Sequence, residues 1–297
     1  MEKVSCVITT VNREKELFRA VNSCLFQTYK NIEVVIVIDG RNNSLKNKIR
    51  LEFISNKNVR VEETGKKVGG NAARNFGINL ADGEYIALLD DDDEWLDTKI
   101  EKQLKEIKKQ SEMSVIFCSV FNLLPNNKVK ILPLKKYNGV DSISKFLFDT
   151  YYFFRGAGFV QTSTLFSYKS VFMDNPFDEK LKKHQDWDWA IKCNYNGVVF
   201  KHINEPLVNY HNESQLNRVG HNSDFELTIT WLENIQHYIT KKEYDRIVYS
   251  VLIKKIYEST DIDKNRKEIL IKNYTSIIQF KSKLSIAYIY NYFIKLK

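Results

Sequence analysis

A run of acidic residues directly after an apolar segment is the part of this sequence best suited to chemistry. Tyr85–Leu89 is apolar, and Asp90–Glu94 follows it with five consecutive carboxylates. Neighbouring carboxylates at the end of a buried strand repel one another, which costs stability unless a cation neutralises them. Mg²⁺ prefers one or two carboxylates together with the phosphate oxygens of a substrate. The run therefore indicates either a divalent-cation site that holds phosphates or a solvated acidic turn, which is the ordinary role of such runs.

The elements that would position these acids alternate between strand and helix from residue 4 to residue 121. Apolar, β-branched segments predict strands, and apolar residues with a period of 3.6 predict helices. The predicted strands are Val4–Thr10, Ile32–Ile38, Val59–Glu62, Tyr85–Leu89 and Ser114–Phe121. The predicted helices are Glu14–Gln27, Ser44–Ile54, Asn71–Leu80 and Thr98–Gln110. This alternation predicts an α/β fold, in which a mostly parallel sheet has helices on both faces.

Polar residues stand at the carboxyl ends of several predicted strands. Thr9 and Thr10 end the first strand, Asp39 follows the second, and Asp90–Asp93 follow the fourth. In parallel sheets, ligands bind beyond the carboxyl ends of the strands. We therefore expect these side chains to converge on one crevice.

The second half of the chain has a less regular pattern. It contains an aromatic run with glycines at Tyr151–Gly158, and from Asp224 onward the pattern is helical. We place a domain boundary after residue 222, so that 1–222 forms the α/β domain and 223–297 a helical, basic and aromatic region. The other predicted elements are helices Asp141–Thr150 and Trp187–Asn196 and strands Gln161–Phe166, Val198–His202 and Pro206–Tyr210.

The composition is that of a globular protein whose positive charge is concentrated near the end. Of 297 residues, 43% are hydrophobic and 28% charged, and the net charge is +8. Lys241–Lys297 holds 13 Lys or Arg but only 6 Asp or Glu, together with nine Tyr or Phe. Its final part, Ser285–Lys295, is typical of helices that lie on anionic lipid. A packed helical subdomain with a solvated basic face explains the same composition.

Cysteine usage and hydropathy favour a cytoplasmic protein. Such a protein could also bind peripherally to the inner face of the cell membrane. The four cysteines include no C-x-x-C pair, so we expect neither a zinc site nor a disulfide framework. Reduced thiols are typical of the cytosol. No signal peptide pattern opens the chain, and no run of 18 apolar residues predicts a membrane span.

Six short motifs occur in a fixed order between Val4 and Trp189. They are Val4–Arg13, Ser23–Tyr29, Glu33–Gly40, Gly70–Asn75, Leu89–Trp95 and His184–Trp189. Together they resemble the motifs of inverting glycosyltransferases of family 2, of the bacterial surface-polysaccharide type, which have a GT-A fold. The resemblance covers residues 3–210. The chain departs from the family's pattern at Ile38, where Asp is usual before Asp39, and at Gln185, where Glu is usual before Asp186.

The resemblance implies a reaction and its substrates. A sugar would move from a nucleoside diphosphate, expected to be UDP, to an acceptor hydroxyl on a glycan or lipid-linked glycan. Negative charge builds up on the departing diphosphate, and a bound Mn²⁺ or Mg²⁺ would neutralise it. Nucleic acid is not expected as a partner, whereas residues 241–297 could contact a membrane surface.

The resemblance also implies the site residues. Asp92, and after it Asp90, would hold the metal ion, since the family's D-x-D motif places them on one face of the turn. Acceptor activation needs a general base, and the resemblance gives this role to Asp186. The residues implied in binding the donor nucleotide are Thr9, Arg13, Asp39, Arg74, Asp90 and Asp91. Contacts with the acceptor or the diphosphate are expected from Gln185, Trp187, His211 and Arg218.

Ordinary structural roles are open to the same residues. Asp is a preferred N-cap, so the residue type alone favours Asp186 as the cap of the helix that follows it. Asp93 could cap the helix after the acidic run. Arg74 could form a salt bridge with the acids, and Thr9 and Arg13 could belong to the turn after the first strand.

Three other functions compete with the glycosyltransferase. A sugar-phosphate nucleotidyltransferase would need a glycine-rich loop after the first strand, where this chain has Thr9–Arg13 without glycine. A glycoside hydrolase could use Asp92 and Asp186 as its two carboxylates, but it needs neither a nucleotide pocket nor a metal. A nucleic-acid-binding protein would fit the positive charge, yet residues 1–240 are close to neutral and the expected crevice is acidic.

Overall fold

A single mixed sheet organises the part of the chain that the computed structural model describes, residues 2–149, 158–212 and 225–279. Its nine strands are β1 Val4–Thr10, β2 Ile32–Ile38, β3 Val59–Glu63, β4 Tyr85–Asp90, β5 Glu94–Trp95, β6 Ser114–Leu124, β7 Lys128–Leu132, β8 Phe166–Tyr168 and β9 Val199–His211. Their order is β3-β2-β1-β4-β8-β6-β9-β5, and β7 pairs with β6. Strands β3, β2, β1 and β4 are parallel, as are β6 and β9, whereas β8, β7 and β5 run antiparallel to their neighbours. The predicted mostly parallel α/β sheet is confirmed.

The strand register brings the predicted polar ends together. Thr9 lies beside Asp90 in the pairing of β1 with β4, and Thr10 lies beside Ile38 in the pairing of β1 with β2. The ends of three neighbouring strands are therefore level, and the acidic run and Asp39 leave the sheet on the same edge.

Helices cover both faces of the sheet because side chains alternate between the faces along each strand. Val7 of β1 packs on one face with the helix that contains Ala73, while Cys6 and Ile8 pack on the other face with the first helix. The α-helices are α1 Glu14–Leu25, α2 Asn43–Glu52, α3 Gly70–Leu80, α4 Lys99–Ile107, α5 Ile143–Phe148, α6 Lys169–Asp174, α7 Gln185–Tyr195, α8 Phe225–Ile235, α9 Lys241–Ile247, α10 Ile253–Glu258 and α11 Lys264–Ser276.

The C-terminal helices pack on the face that α3 and α7 also cover, and the predicted helical extension is confirmed for residues 225–279. Trp231 of α8 is fully buried, and its Nε1 donates to Oδ1 of Asp188 at 3.1 Å. Arg246 of α9 forms an ion pair with Asp149 at 3.3 Å. A π-helical turn, Val248–Leu252, joins α9 to α10. The boundary after residue 222 and the segment Ser285–Lys295 lie outside the described residues.

Some predicted elements in the second half of the chain were wrong. Gln161–Phe166 is not a strand, because Gln161 accepts from the amide of Ser163 and residues Thr162–Thr164 form a 3-10 turn. The two short strands predicted after residue 197 are one strand, β9. Its pairing with β6 shifts next to Pro206, which has no amide hydrogen to donate. In the described part of the chain, no helix combines the length and the apolar character needed to cross a bilayer.

Close packing of α3 against the sheet supplies a test of this arrangement. A Cβ on Gly77 would lie 2.6 Å from Cγ1 of Val7 and 2.9 Å from Cγ2 of Val37. We expect Gly77→Ala to lower the free energy of unfolding by about 1–3 kcal/mol, the usual cost of overpacking. Urea unfolding followed by circular dichroism measures the change. Asn79→Ala, an exposed position in the same helix, is the control, and equal stability of the two variants would contradict the close approach.

Candidate active site

The four aspartates after β4 divide into two buried and two accessible side chains. The turn is tight, since the amide of Asp93 donates to the carbonyl oxygen of Asp90 at 3.1 Å. Asp91 and Asp93 are 5% and 0% exposed, whereas Asp90 and Asp92 are partly exposed and line a cavity. Alternate residues of the run therefore have different roles.

The two buried carboxylates anchor the turn to neighbouring elements. The hydroxyl of Thr10 donates to Asp91 at 2.6 Å. Burial raises the pKa of Asp91 to about 6, although the nearby guanidinium of Arg13 opposes the shift. Asp93 accepts from the hydroxyl of Ser163 at 2.6 Å, from Nε2 of Gln161 at 3.0 Å and from the amide of His211 at 3.2 Å.

Asp93 is therefore not a helix cap, and that interpretation of the sequence was wrong. The next helix, α4, begins at Lys99 after Thr98 as its N-cap residue. The carboxylate of Asp93 instead joins the turn to the segment around Gln161 and to the end of β9. The sequence gives no sign of these partners, because they lie far away along the chain.

Arginines neutralise the two accessible carboxylates. Nη2 of Arg74 donates to Oδ1 of Asp90 at 2.8 Å, and Nη1 of Arg13 donates to Oδ2 of Asp92 at 2.6 Å. Arg19, which the sequence-based analysis missed, donates to the backbone oxygen of Asp92 at 2.6 Å. The salt bridge considered for Arg74 is thus present. It leaves open a second role for this guanidinium in binding phosphate.

Asp186 lies in the first turn of α7 and faces the same cavity. The helix starts at Gln185, and its N-cap residue is His184, with a left-handed backbone at φ 62°. The interpretation of Asp186 as an N-cap was therefore wrong. The hydroxyl of Thr162 donates to Oδ1 of Asp186. Burial raises the pKa of Asp186, the charge of Asp90 adds to the shift, and Arg74 opposes it.

The cavity between the acidic run and α7 has a volume of about 440 Å³, which is typical of small-molecule sites. Asp92 and Asp186 both line it, so the two carboxylates lie on one side of the molecule. Its other lining residues include Arg74, Asp90, Phe159, Gln161, Lys183, His184, Gln185, Trp187, Tyr210 and Lys255.

Three residues around Asp186 contribute to the wall in different ways. Oε1 of Gln185 accepts from Nη1 of Arg74 at 3.2 Å, so Gln185 connects α7 to α3. Trp187 stacks on the imidazole of His184 at a centroid distance of 4.9 Å. Burial lowers the pKa of His184 to about 3, so its ring is neutral near pH 7. Trp189, by contrast, is buried and stacks on Phe172, which is a packing role.

The remaining predicted residues that the structure describes do not line the cavity, and one further residue lies outside the described structure. Asp39 accepts from the amides of Val68 and Gly69 at 2.7 and 3.0 Å. The hydroxyl of Thr64 also lies 3.5 Å from Oδ1, so these donors use more than half, but not all, of the acceptor capacity of a carboxylate. Nε2 of His211 lies 3.7 Å from Glu94. Arg218 lies outside the described residues. Thr9 and Arg13 are at the end of β1 and directly after it, next to the acidic turn.

The acidic turn is chemically suited to a divalent cation that takes some of its ligands from the protein and the others from a substrate. In the described residues, no group of three or more His, Cys, Asp or Glu side chains is arranged to hold a metal by itself. Asp90 and Asp92 nevertheless face the cavity as a pair of carboxylates. Mg²⁺ usually takes one or two carboxylates and completes its shell with phosphate oxygens and water.

Comparisons with known proteins agree on one family. The model for "Glycosyl transferase family 2" matches residues 5–168. The amylovoran biosynthesis glycosyltransferase AmsB of Erwinia amylovora is 30% identical over 245 residues, which cover 80% of this chain and 79% of that protein. The UDP-Glc:alpha-D-GlcNAc-diphosphoundecaprenol beta-1,3-glucosyltransferase WfaP of Escherichia coli is 38% identical over 107 residues, or 35% of this chain and 41% of that protein.

Solved structures show the same fold at low sequence identity. A crystal structure of S. aureus TarS, residues 1–349, superimposes with a TM-score of 0.67 and 16% identity over 95% of this chain and 82% of that chain. The same protein in complex with UDP-GlcNAc gives a TM-score of 0.57 and 16% identity over 93% and 72% of the two chains. The fold expected from the motifs, GT-A, is confirmed.

The division of the acidic run into buried and accessible residues can be tested by stability. We expect Asp93→Ala to lower the free energy of unfolding by at least about 2 kcal/mol, because two buried side-chain donors and the part-buried amide of His211 lose an acceptor. Asp92→Ala is the matched control and should change it by less than about 1 kcal/mol, as for other partly exposed ion pairs. Urea unfolding measures both. Equal destabilisation of the two variants would show that Asp93 is not an anchor.

Proposed function

This chain belongs to glycosyl transferase family 2, and from that premise we propose that it transfers a sugar from a UDP-sugar to an acceptor hydroxyl with inversion at the anomeric carbon. It is accordingly an enzyme of the hexosyltransferase type. The observation that carries the proposal is that Asp90, Asp92 and Asp186 line one cavity. That arrangement allows one end of the cavity to stabilise the leaving diphosphate while the other activates the acceptor.

The donor nucleotide is assigned to the ends of β1 and β2. Asp39 is suited to accept the imide N–H of uracil, because its amide partners leave acceptor capacity unused. Thr9 and Arg13 adjoin the same edge, and Asp91, fixed by Thr10, would shape its floor. TarS has been crystallised with UDP and with UDP-GlcNAc, which supports the choice of a UDP-linked donor.

The leaving diphosphate is assigned to Asp90, Asp92 and Arg74. Asp92 and Asp90 would hold Mn²⁺ or Mg²⁺, which as a Lewis acid neutralises charge on the diphosphate oxygens when bound. Arg74 is almost fully buried and already held by Asp90 at 2.8 Å. Its fixed guanidinium can donate to phosphate oxygens without a large loss of side-chain entropy.

Asp186 is assigned as the general base. Its pKa is raised because the carboxylate is buried and Asp90 is near, which makes it a stronger acceptor for a hydroxyl proton. The hydrogen bond from Thr162 fixes its orientation. The attacking oxygen approaches the anomeric carbon from the side opposite the diphosphate as its proton moves to Asp186, and the configuration inverts. Trp187, stacked on neutral His184, offers a flat apolar face for a sugar ring.

The acceptor is assigned to a lipid-linked glycan in cell-surface polysaccharide synthesis. The name of AmsB refers to amylovoran biosynthesis and that of WfaP to a diphosphoundecaprenol-linked acceptor, and both support this class. Such an acceptor suits a cytoplasmic protein that contacts the inner face of the membrane through residues 241–297.

The division into a catalytic domain, 1–222, and a C-terminal region, 223–297, is part of the same proposal. Contact of His211 or Arg218 with the diphosphate is also part of it.

Replacement of Asp186 tests the base. Asp186→Asn keeps the shape of the side chain but cannot accept the proton, so we expect the transfer rate to fall by about 10²–10⁴. Binding of the UDP-sugar should change little, because the donor residues are untouched. Release of UDP in the presence of acceptor measures the rate, and calorimetry measures binding.

Exposed Asp97 provides the control for this experiment. Asp97→Asn should transfer at the wild-type rate. Full activity of Asp186→Asn would remove Asp186 from the mechanism. Loss of donor binding together with activity would instead assign Asp186 to the donor pocket.

Replacement of Asp92 tests the metal. We expect Mn²⁺ to strengthen UDP binding to the wild-type protein, and Asp92→Ala to reduce that gain at least about tenfold, as for other losses at metal sites. Titration with UDP in Mn²⁺ and in chelator measures the gain. Glu94→Gln is the control: Glu94 belongs to the same acidic run, but it accepts from Asn209 and does not line the cavity. This variant should keep the gain in UDP binding. An unchanged gain in Asp92→Ala would reject the assignment.

A further inference from the structure

Two lysines line the cavity of Asp186, and the function proposed above does not use them. Lys183 stands next to His184 and is only 4% exposed. Lys255 belongs to α10, in the C-terminal helical region, and is half-buried. Both contribute to the same cavity wall as Trp187. A basic wall therefore shares one cavity with the acidic wall of Asp90 and Asp92.

The ammonium groups of the two lysines are close enough to affect each other. Burial lowers the pKa of Lys255 to about 8; the neighbouring ammonium of Lys183 contributes to this shift, and the carboxylate of Glu258 opposes it. In the described part of the chain, the adjacent Lys254 has the ion pair with Glu258, at 3.8 Å, and Lys255 is within ion-pair distance of no carboxylate. Two neighbouring ammonium groups repel each other, and an anion bound between them would be attracted to both.

Hydrogen bonds fix the order of the groups across the cavity. Asp90 binds Arg74, and Arg74 binds Gln185 at the start of α7. On the other side of the cavity, His184 binds Thr228 of α8 at 2.9 Å. The acidic turn is therefore linked to α7 through Arg74 and Gln185, whereas the C-terminal helices, with Lys255, contact the side of α7 at His184. That side is the one left for the acceptor when the donor diphosphate lies at Asp90 and Asp92.

We propose that Lys183 and Lys255 form a subsite for a phosphate or diphosphate group carried by the acceptor. This inference rests on the proposed function, since it assumes that Asp186 activates the acceptor in the same cavity. A compact ammonium group is well suited to phosphate as a point charge. The carboxylates of Asp90 and Asp92 repel an anion that no cation accompanies, which favours the lysine side of the cavity for the acceptor's phosphate.

The size of the cavity limits the acceptor. A volume of about 440 Å³ contains both the base and the lysines. An acceptor in which few sugar rings separate the phosphate from the reacting hydroxyl would reach both groups within this cavity. The reaction that supplies this acceptor is accordingly one that joins a sugar to its carrier through a phosphate. The present chain would then add one of the first sugars to that carrier-linked sugar.

Phosphate binding to the UDP-saturated protein tests the subsite directly. Inorganic phosphate is titrated at constant ionic strength, and the fluorescence of tryptophan is followed, since Trp187 lines the cavity. We expect saturable binding in the wild type and a dissociation constant about tenfold higher in Lys255→Met, the usual effect of losing one charged hydrogen bond. Lys254→Met, the exposed neighbour in the same helix, should bind as the wild type does. Lys255→Arg keeps the charge and should also bind.

A pair of acceptors extends the test to transfer. One is N-acetylglucosamine linked through diphosphate to a short alkyl chain, and the other is the neutral alkyl glycoside of the same sugar. We expect the wild type to have a lower KM for the diphosphate-linked acceptor, and this preference to fall about tenfold in Lys255→Met. Lys254→Met should keep the preference.

The outcomes separate the two proposals. Equal phosphate affinity of the wild type and Lys255→Met would overturn the lysine subsite. Absence of saturable phosphate binding to the UDP-saturated wild type would also overturn it, since the lysines would then be occupied by the donor diphosphate. Absence of UDP binding in the wild type, measured first, would contradict the proposed function instead.

Discussion

Mutual repulsion among the carboxylates after β4 is the constraint on which the site depends, because four adjacent aspartates must all be accommodated at one strand end. The side chains of successive aspartates point in alternating directions. Asp91 and Asp93 turn inward and are held by hydroxyl, amide and backbone donors. Asp90 and Asp92 turn outward into the cavity and are held by arginines. The buried pair thereby fixes the geometry with which the accessible pair meets a ligand.

The second half of the cavity is built by elements far along the chain from the acidic turn. Gln161 binds both Asp90 and Asp93, and Thr162 binds Asp186, so one short 3-10 turn positions acids on both walls. The C-terminal helices hold α7 from behind, through Trp231 against Asp188 and Thr228 against His184. Residues 225–279 are thus part of the site's support.

Prediction from the sequence was strongest where local pattern and chemistry coincide. The strands up to β4 and the helices between them were predicted because the β-branched runs and helical stripes are long and regular. It was weakest at Gln161–Phe166, whose β-branched and apolar residues suggested a strand although a side chain to backbone hydrogen bond folds them into a turn. Asp186 is similar. Its residue type favours a cap, and only the position of His184 ahead of it in a left-handed conformation places Asp186 inside the helix.

The sequence by itself determined the α/β class, the edge of the sheet at which the acidic run and Asp39 lie and the six motifs of the family, because each depends on residues within a few positions of one another. Only the tertiary structure decided which aspartates are buried, which arginine neutralises each accessible one, and that Lys183 and Lys255 share a wall with Asp186. The physical reason is that burial and electrostatic pairing depend on distances in space between residues widely separated along the chain, which no local pattern records.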